Sequence, residues 1–165
     1  MNFPILLALI TVLFSCEGTD ISGEVSNLIE TKRAEVAPDK RVALWDLTFE
    51  NDSLKGETDQ TEALNKLISE LKSQEIYFTD AVLRLPAAAL GEKTKALVTI
   101  SVANIRSNPK HSAELATQAL MGTPLNVLKQ DNGWYLVQTP DGYLSWVDRA
   151  GIHLMTETEL AHWYR

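Results

Sequence analysis

The stretch from Asn132 to Val147, NGWYLVQTPDGYLSWV, constrains this chain more than any other. Along residues 134–139, Trp134, Leu136 and Gln138 fall on one face and Tyr135, Val137 and Thr139 on the other, the period-two alternation of a β-strand. Pro140-Asp141-Gly142 is a turn, since proline presets φ, aspartate tolerates turn geometry and glycine accepts positive φ. Beyond it Tyr143, Ser145 and Val147 alternate with Leu144 and Trp146, so the segment reads as a β-hairpin. Leu136, Val137 and Val147 read as packing residues. Trp134, Tyr143 and Trp146 carry two readings, because a small barrel cannot enclose every large ring. They fill the core, or they leave ring faces free to stack on sugar or peptide surfaces.

The hairpin sits in a longer run of short strands and turns. Leu97–Ile105, Gln118–Met121, Leu125–Lys129, Trp134–Thr139 and Tyr143–Val147 are the expected strands. Ser107-Asn108-Pro109-Lys110-His111, Gly122-Thr123-Pro124 and Asp131-Asn132-Gly133 are among the breaks between them. Strands at this spacing over residues 97–155 predict a small closed all-β barrel.

The chain before the barrel has a different signature. Residues 16–40 read as a polar tether followed by a short helix over Ser26–Val36. Over residues 41–90 a β-α-β unit is expected. Its first strand is Val42–Phe49. Its helix carries Ala63, Leu64, Leu67, Ile68 and Leu71 at three- and four-residue steps, with Thr58 or Asp59 as cap, and its second strand is Ile76–Leu85. Two strands are a marginal sheet, so a further strand is expected from residues 95–102 or from the barrel. Residues 86–93 join the two units. Thr156-Glu157-Thr158-Glu159 is a capping box, and residues 156–165 read as the start of a linker helix. The fold class is therefore α+β, a β-α-β unit followed by a small all-β barrel.

At the front, Phe3–Phe14 is apolar except for Thr11, too short to span a hydrocarbon core of ~30 Å but suited to an export signal. Leu13-Phe14-Ser15-Cys16 resembles a bacterial lipoprotein box. That resemblance implies residues 1–15 as a lipoprotein-type signal peptide, with lipidation at Cys16 and a membrane anchor. An ordinary secretory signal with a chance cysteine is the other reading. Cys16 is the only cysteine, which excludes an internal disulfide, a CxxC redox pair and a cysteine zinc cluster.

Charge and motif content exclude further classes. The net charge is −7, and residues 17–97 hold ten Lys/Arg against sixteen Asp/Glu, so there is no basic stripe for nucleic acid. His111, His153 and His162 have no metal-ligand spacing, no Gly-x-Ser-x-Gly elbow occurs, and Gly91-Glu92-Lys93-Thr94 lacks the upstream glycine of a phosphate loop. No catalytic residue, cofactor or metal site is assigned.

Four segments carry a family resemblance: Ala103-Asn104-Ile105-Arg106-Ser107-Asn108-Pro109, Met121 to Leu128 (MGTPLNVL), Gly133-Trp134-Tyr135-Leu136-Val137, and Asp141-Gly142-Tyr143-Leu144-Ser145-Trp146-Val147. Together they resemble the bacterial SH3 domain over residues 97–155, with Ser145 where a glycine is usual. More narrowly, the LKGET stretch, the Leu90-Gly91-Glu92 join and the ELATQALMGTPL segment look like the front part of NlpC/P60-type peptidases. Those are exported γ-D-glutamyl–diamino acid endopeptidases whose catalytic Cys and His lie in a further domain, and nothing in this chain matches that domain.

The resemblance implies a non-catalytic, lipid-anchored envelope protein that binds a peptidoglycan stem peptide or a neighbouring envelope protein. Asn104 and Arg106 would meet a carboxylate or amide, and Trp134, Tyr143 and Trp146 would form an apolar platform; the other reading of Arg106 is a structural hydrogen bond to the long loop that follows it. The alternatives are the truncated front end of such a peptidase and a protein-binding scaffold module.

Overall fold

The computed structural model describes residues 21–165. Helix α1 (Ile21–Val36) turns Val25 and Ile29 onto the first strand, β1 (Trp45–Glu50), where Trp45 Nε1 donates to the Ile29 carbonyl at 3.2 Å. In β1 the alternation is complete. Trp45, Leu47 and Phe49 are buried, and Asp46, Thr48 and Glu50 are exposed. Asn51 and Asp52, both with φ near +50°, make the tight turn into β2 (Ser53–Thr58), which pairs antiparallel with β1.

Helix α2 (Thr61–Ser73) follows, and β3 (Thr79–Arg84) returns parallel to β2. Leu64, Leu67 and Leu71 of α2 are fully buried in one core with Val25, Trp45, Leu47, Phe49, Leu54 and Val82. At roughly 1.5–3 kcal/mol per large buried side chain, that stripe outweighs any helix propensity term.

This front unit differs from the expected β-α-β arrangement in two ways. The third strand is β2, from within the segment itself, and residues 95–102 belong elsewhere. The parallel crossover starts at β2, so the unit runs α-β-β-α-β. Neither expected cap residue caps α2. Thr58 Oγ1 donates to the Leu44 carbonyl at 2.7 Å, and Asp59 Oδ1 accepts from the Leu44 N–H at 2.8 Å, so both tie strand ends together and leave Gln60 at the N-cap.

After a short 3-10 turn at Ala88–Leu90 come β4 (Lys95–Val98), β5 (Val102–Arg106), β6 (Leu115–Leu120), β7 (Pro124–Asp131), β8 (Trp134–Gln138), β9 (Leu144–Asp148) and β10 (Ile152–Met155). They form one antiparallel sheet in the order β10-β4-β7-β8-β9-β5-β6. The expected single strand over 97–105 is broken at Thr99–Ser101, where the chain turns from β4 into β5.

The sheet curls round one core that takes residues from every strand, among them Ala96, Ala103, Ile105, Ala119, Val127, Tyr135, Val137, Val147 and Ile152. The two edge strands β10 and β6 do not pair with each other, so the barrel is not a closed ladder. Backbone bonds from Gly122 N to Val98 O (2.9 Å) and from Val98 N to Thr123 O (3.0 Å) stitch the β6–β7 corner to β4.

Helix α3 (Glu157–Trp163) folds back on the barrel through buried Leu160 and a capping box at Thr156. Lys93 and Glu159 meet at 2.6 Å, and Lys95 and Glu157 at 3.0 Å. The Glu159 carboxyl is held down to about 2, first by the Lys93 ammonium and then by the Thr156 backbone N–H. Among the described residues no helix is long and apolar enough to cross a membrane. Cys16 and the apolar leader lie outside the described residues.

Gly56 sits in β2 opposite Leu47 with φ +114°, and a Cβ there would overlap the Asp46 carbonyl oxygen. Gly56→Ala is therefore expected to lower stability by more than about 1 kcal/mol, read as a fall in the denaturation midpoint at constant m value. An unchanged midpoint would show that the β1–β2 hairpin does not need this backbone geometry.

Candidate functional site

The register of β8, β9 and β5 decides which side chains share a face. Trp134 stands opposite Asp148, Leu136 opposite Trp146, and Trp146 opposite Arg106. Tyr135, Val137 and Val147, of opposite parity, turn into the barrel core. The outer face thus carries Trp134, Leu136, Trp146, Asp148, Arg106 and, two residues along β5, Asn104 and Val102.

The front unit covers one half of that face. Leu128 and Leu136 are buried there with Leu85 and Ala87, and Leu44, Leu144 and Trp146 pack against them. Lys129 Nζ lies 5.2 Å from the centroid of the Trp146 ring and bonds Glu57 Oε1 at 2.6 Å, with both side chains largely shielded. Backbone bonds frame the junction, from Leu144 N to Arg41 O at 2.6 Å and from Ala87 N to Leu128 O at 2.7 Å.

The other half stays open as a groove of about 290 Å³, whose walls include Ile100, Val102, Asn104, Arg106, Trp134 and Asp148. His111 reaches over it from the loop between β5 and β6. Its ring meets Trp134 edge-on at 5.0 Å, and its Nε2 lies 3.4 Å from Asp148 Oδ2. The loop is tied at its base. Arg106 Nη1 donates to the Ala113 carbonyl at 2.7 Å, and Ser107 N donates to the Glu114 carbonyl at 3.0 Å. Asn104 Oδ1 accepts from Gln118 Nε2 at 2.9 Å.

The groove sets apolar surface beside one cation and one acid. An apolar wall from Ile100, Val102 and Trp134 stands beside a cation at Arg106 and an acid at Asp148. The remaining guanidinium nitrogens of Arg106 have no partner among the described residues, so they are available to a carboxylate or carbonyl. Among the described residues no three His, Cys, Asp or Glu side chains gather as a metal site. His153 lies on β10 and His162 on α3, while His111 lies in the loop between β5 and β6.

The five ligand-binding candidates do not form one platform. Asn104, Arg106 and Trp134 line the groove, with Trp134 only 7% exposed. Trp146 stands in register with Arg106, but its ring is spent on the junction. Tyr143 precedes β9, outside the alternation, and lies under the Arg41 guanidinium at 5.7 Å. Sequence reasoning missed Val102, His111 and Asp148. The first and last follow from strand alternation once β5 and β9 are paired. His111 had no local signal, because its loop returns to the hairpin only through the fold.

Residues 105–152 match the family model described as the bacterial dipeptidyl-peptidase SH3 domain, so the chain carries a bacterial SH3 domain, and the front unit lies outside the match. No curated protein matches the chain.

Arg106→Gln removes the tie to Ala113. Amide exchange over residues 108–113 is expected to speed by roughly ten- to a hundredfold, since a charge-assisted bond is worth about 1.5–3 kcal/mol. Unaltered exchange there, measured beside the wild type, would mean that the loop is held by other bonds.

Proposed function

We propose that this bacterial SH3 domain protein is a non-catalytic module of the cell envelope that holds a peptidoglycan stem peptide in the groove over β5 and β9. The observation that carries this reading is the half-covered outer face. The front unit packs on Leu136 and on part of Trp146, and what remains open sets Ile100, Val102 and the edge of Trp134 beside Arg106 and Asp148. Such a groove suits an extended peptide that carries carboxylates and amides between small apolar side chains. The matched domain type supports a role in cell-wall or partner binding.

Retention on purified sacculi tests the reading. A chain of residues 21–165 is expected to sediment with sacculi. Val102→Glu, which alters a side chain 43% exposed in the groove wall, is expected to lower retention at least about fivefold without shifting thermal unfolding. The absence of retention, under conditions where a known wall-binding domain is retained, overturns it. If one protein partner instead co-purifies in stoichiometric amount with no wall retention, the scaffold reading replaces it.

Anchoring through Cys16 is part of the same proposal and rests on the Leu13-Phe14-Ser15-Cys16 pattern behind an apolar leader. In cells fed an alkyne fatty acid, the full chain is expected to take up label and Cys16→Ser to lose it. Equal labelling of the two refutes lipidation.

A further inference from the structure

A second cavity, of about 460 Å³, lies where the front unit meets the barrel, on the other side of the loop that carries His111. Its size falls within the ~300–1,000 Å³ of small-ligand clefts. The front unit contributes Lys40 and Arg41, and the barrel contributes Ser107, Glu114 and Tyr143 among others. The sequence alone gives no reason to place these residues together, since Lys40 and Tyr143 are brought near only by the docking of the two units.

The arginine is fixed before any ligand arrives. Asp39 takes the Arg41 backbone N–H at 2.9 Å, its Nε at 3.0 Å and its Nη2 at 2.8 Å. The Arg41 carbonyl accepts from Leu144 N, and the guanidinium lies over the Tyr143 ring. The Nε–Nη2 edge of the planar head is used by Asp39 and one face by Tyr143, and Nη1 has no partner among the described residues. The Asp39 carboxyl is held down to about 2 by the Arg41 side chain first and its backbone N–H second.

Further donors face the same space. Lys40 is exposed and has no ion-pair partner among the described residues. The Ser107 hydroxyl oxygen accepts from Asn108 Nδ2 at 3.3 Å, which leaves its proton to give away. Tyr143 adds a phenolic hydroxyl. Glu114 is the single acid in the lining and makes no ion pair with Lys40 or Arg41, so it leaves their donors free while offsetting part of their charge. With Asp39 paired to Arg41 and Glu114 set against Lys40, the charges of the cleft balance, and what it holds in surplus is hydrogen-bond donors.

We propose that this junction cleft is a binding site for an oxyanionic group, a carboxylate or a phosphate, held by Lys40, the free Nη1 of Arg41 and the hydroxyls of Ser107 and Tyr143. Because Arg41 is already locked by Asp39 and Tyr143, little side-chain freedom is lost on binding. The site is separate from the groove over β5 and β9 and does not depend on what that groove binds.

Titration of the 15N-labelled protein with acetate, inorganic phosphate and chloride at equal ionic strength tests the proposal. Saturable shifts at Arg41, Ser107, Tyr143 and Leu144 with acetate or phosphate, and none with chloride, are the expected result. Saturation by acetate alone assigns a carboxylate ligand, and saturation by phosphate alone a phosphate ligand. Lys40→Gln and Tyr143→Phe, which leave Asp39, Arg41 and the aromatic ring in place, are each expected to weaken binding about three- to tenfold. Val102→Glu in the groove should leave it unchanged. Linear shifts equal to those with chloride, or saturable binding untouched by Lys40→Gln and Tyr143→Phe, overturn the proposal.

Discussion

Everything that distinguishes this molecule from an isolated small barrel depends on the packing of the front unit over Leu128, Leu136 and part of Trp146. A barrel of this size has more large side chains than interior, so the aromatic hairpin must cover one of its outer rings with something else. Leu44, Leu85 and Ala87 supply that cover, and Lys129 lies over the indole while pairing with Glu57. An ammonium placed over a ring and against a carboxylate loses much of its water, and the ion pair and the ring quadrupole together offset that loss. The junction is thus a packed seam with its polar groups satisfied. Among the described residues no buried side-chain nitrogen or oxygen lacks a hydrogen-bond partner.

The seam also determines where the molecule can bind. It closes the half of the outer face near Leu144 and leaves the half near Trp134, and it creates the cleft between Arg41 and Tyr143 as its own rim. One loop separates the two openings. Arg106 and His111 face the groove, while Ser107 and Glu114 face the cleft. The tie from Arg106 to Ala113 therefore shapes the wall of both.

Much of this was legible in the sequence, for identifiable reasons. The hairpin from Trp134 to Val147 alternates strongly on both faces, so its strands and turn were readable to within a residue or two. The stripe of Leu64, Leu67 and Leu71 marked α2 because three leucines at helical spacing have no other economical burial. Strand β2 was missed because SLKGET buries only Leu54 and Thr58 and carries a glycine at its centre. Its glycine is there for close approach to β1, a requirement that periodicity does not encode.

The candidate site was legible only in part. Asn104, Arg106 and Trp134 reach the groove because strand parity alone places them outward. Trp146 and Tyr143 go elsewhere, since what covers an outward ring depends on a unit some hundred residues earlier in the chain, beyond the range of any local pattern.

The paired backbone bonds at the seam have a mechanical consequence. The chain enters the front unit's first strand just after Arg41, whose carbonyl is bonded to Leu144, and leaves its last strand just before Ala87, whose amide is bonded to Leu128. Pinning both the entry and the exit leaves one rigid-body rotation, about the line between the two pins. Closing Leu44 and Trp146 against each other resists that rotation. A pull on the front of the chain would then load the bonds at Arg41 and Ala87 together and reach β9 and β7 directly, and would not swing the front unit as on a hinge.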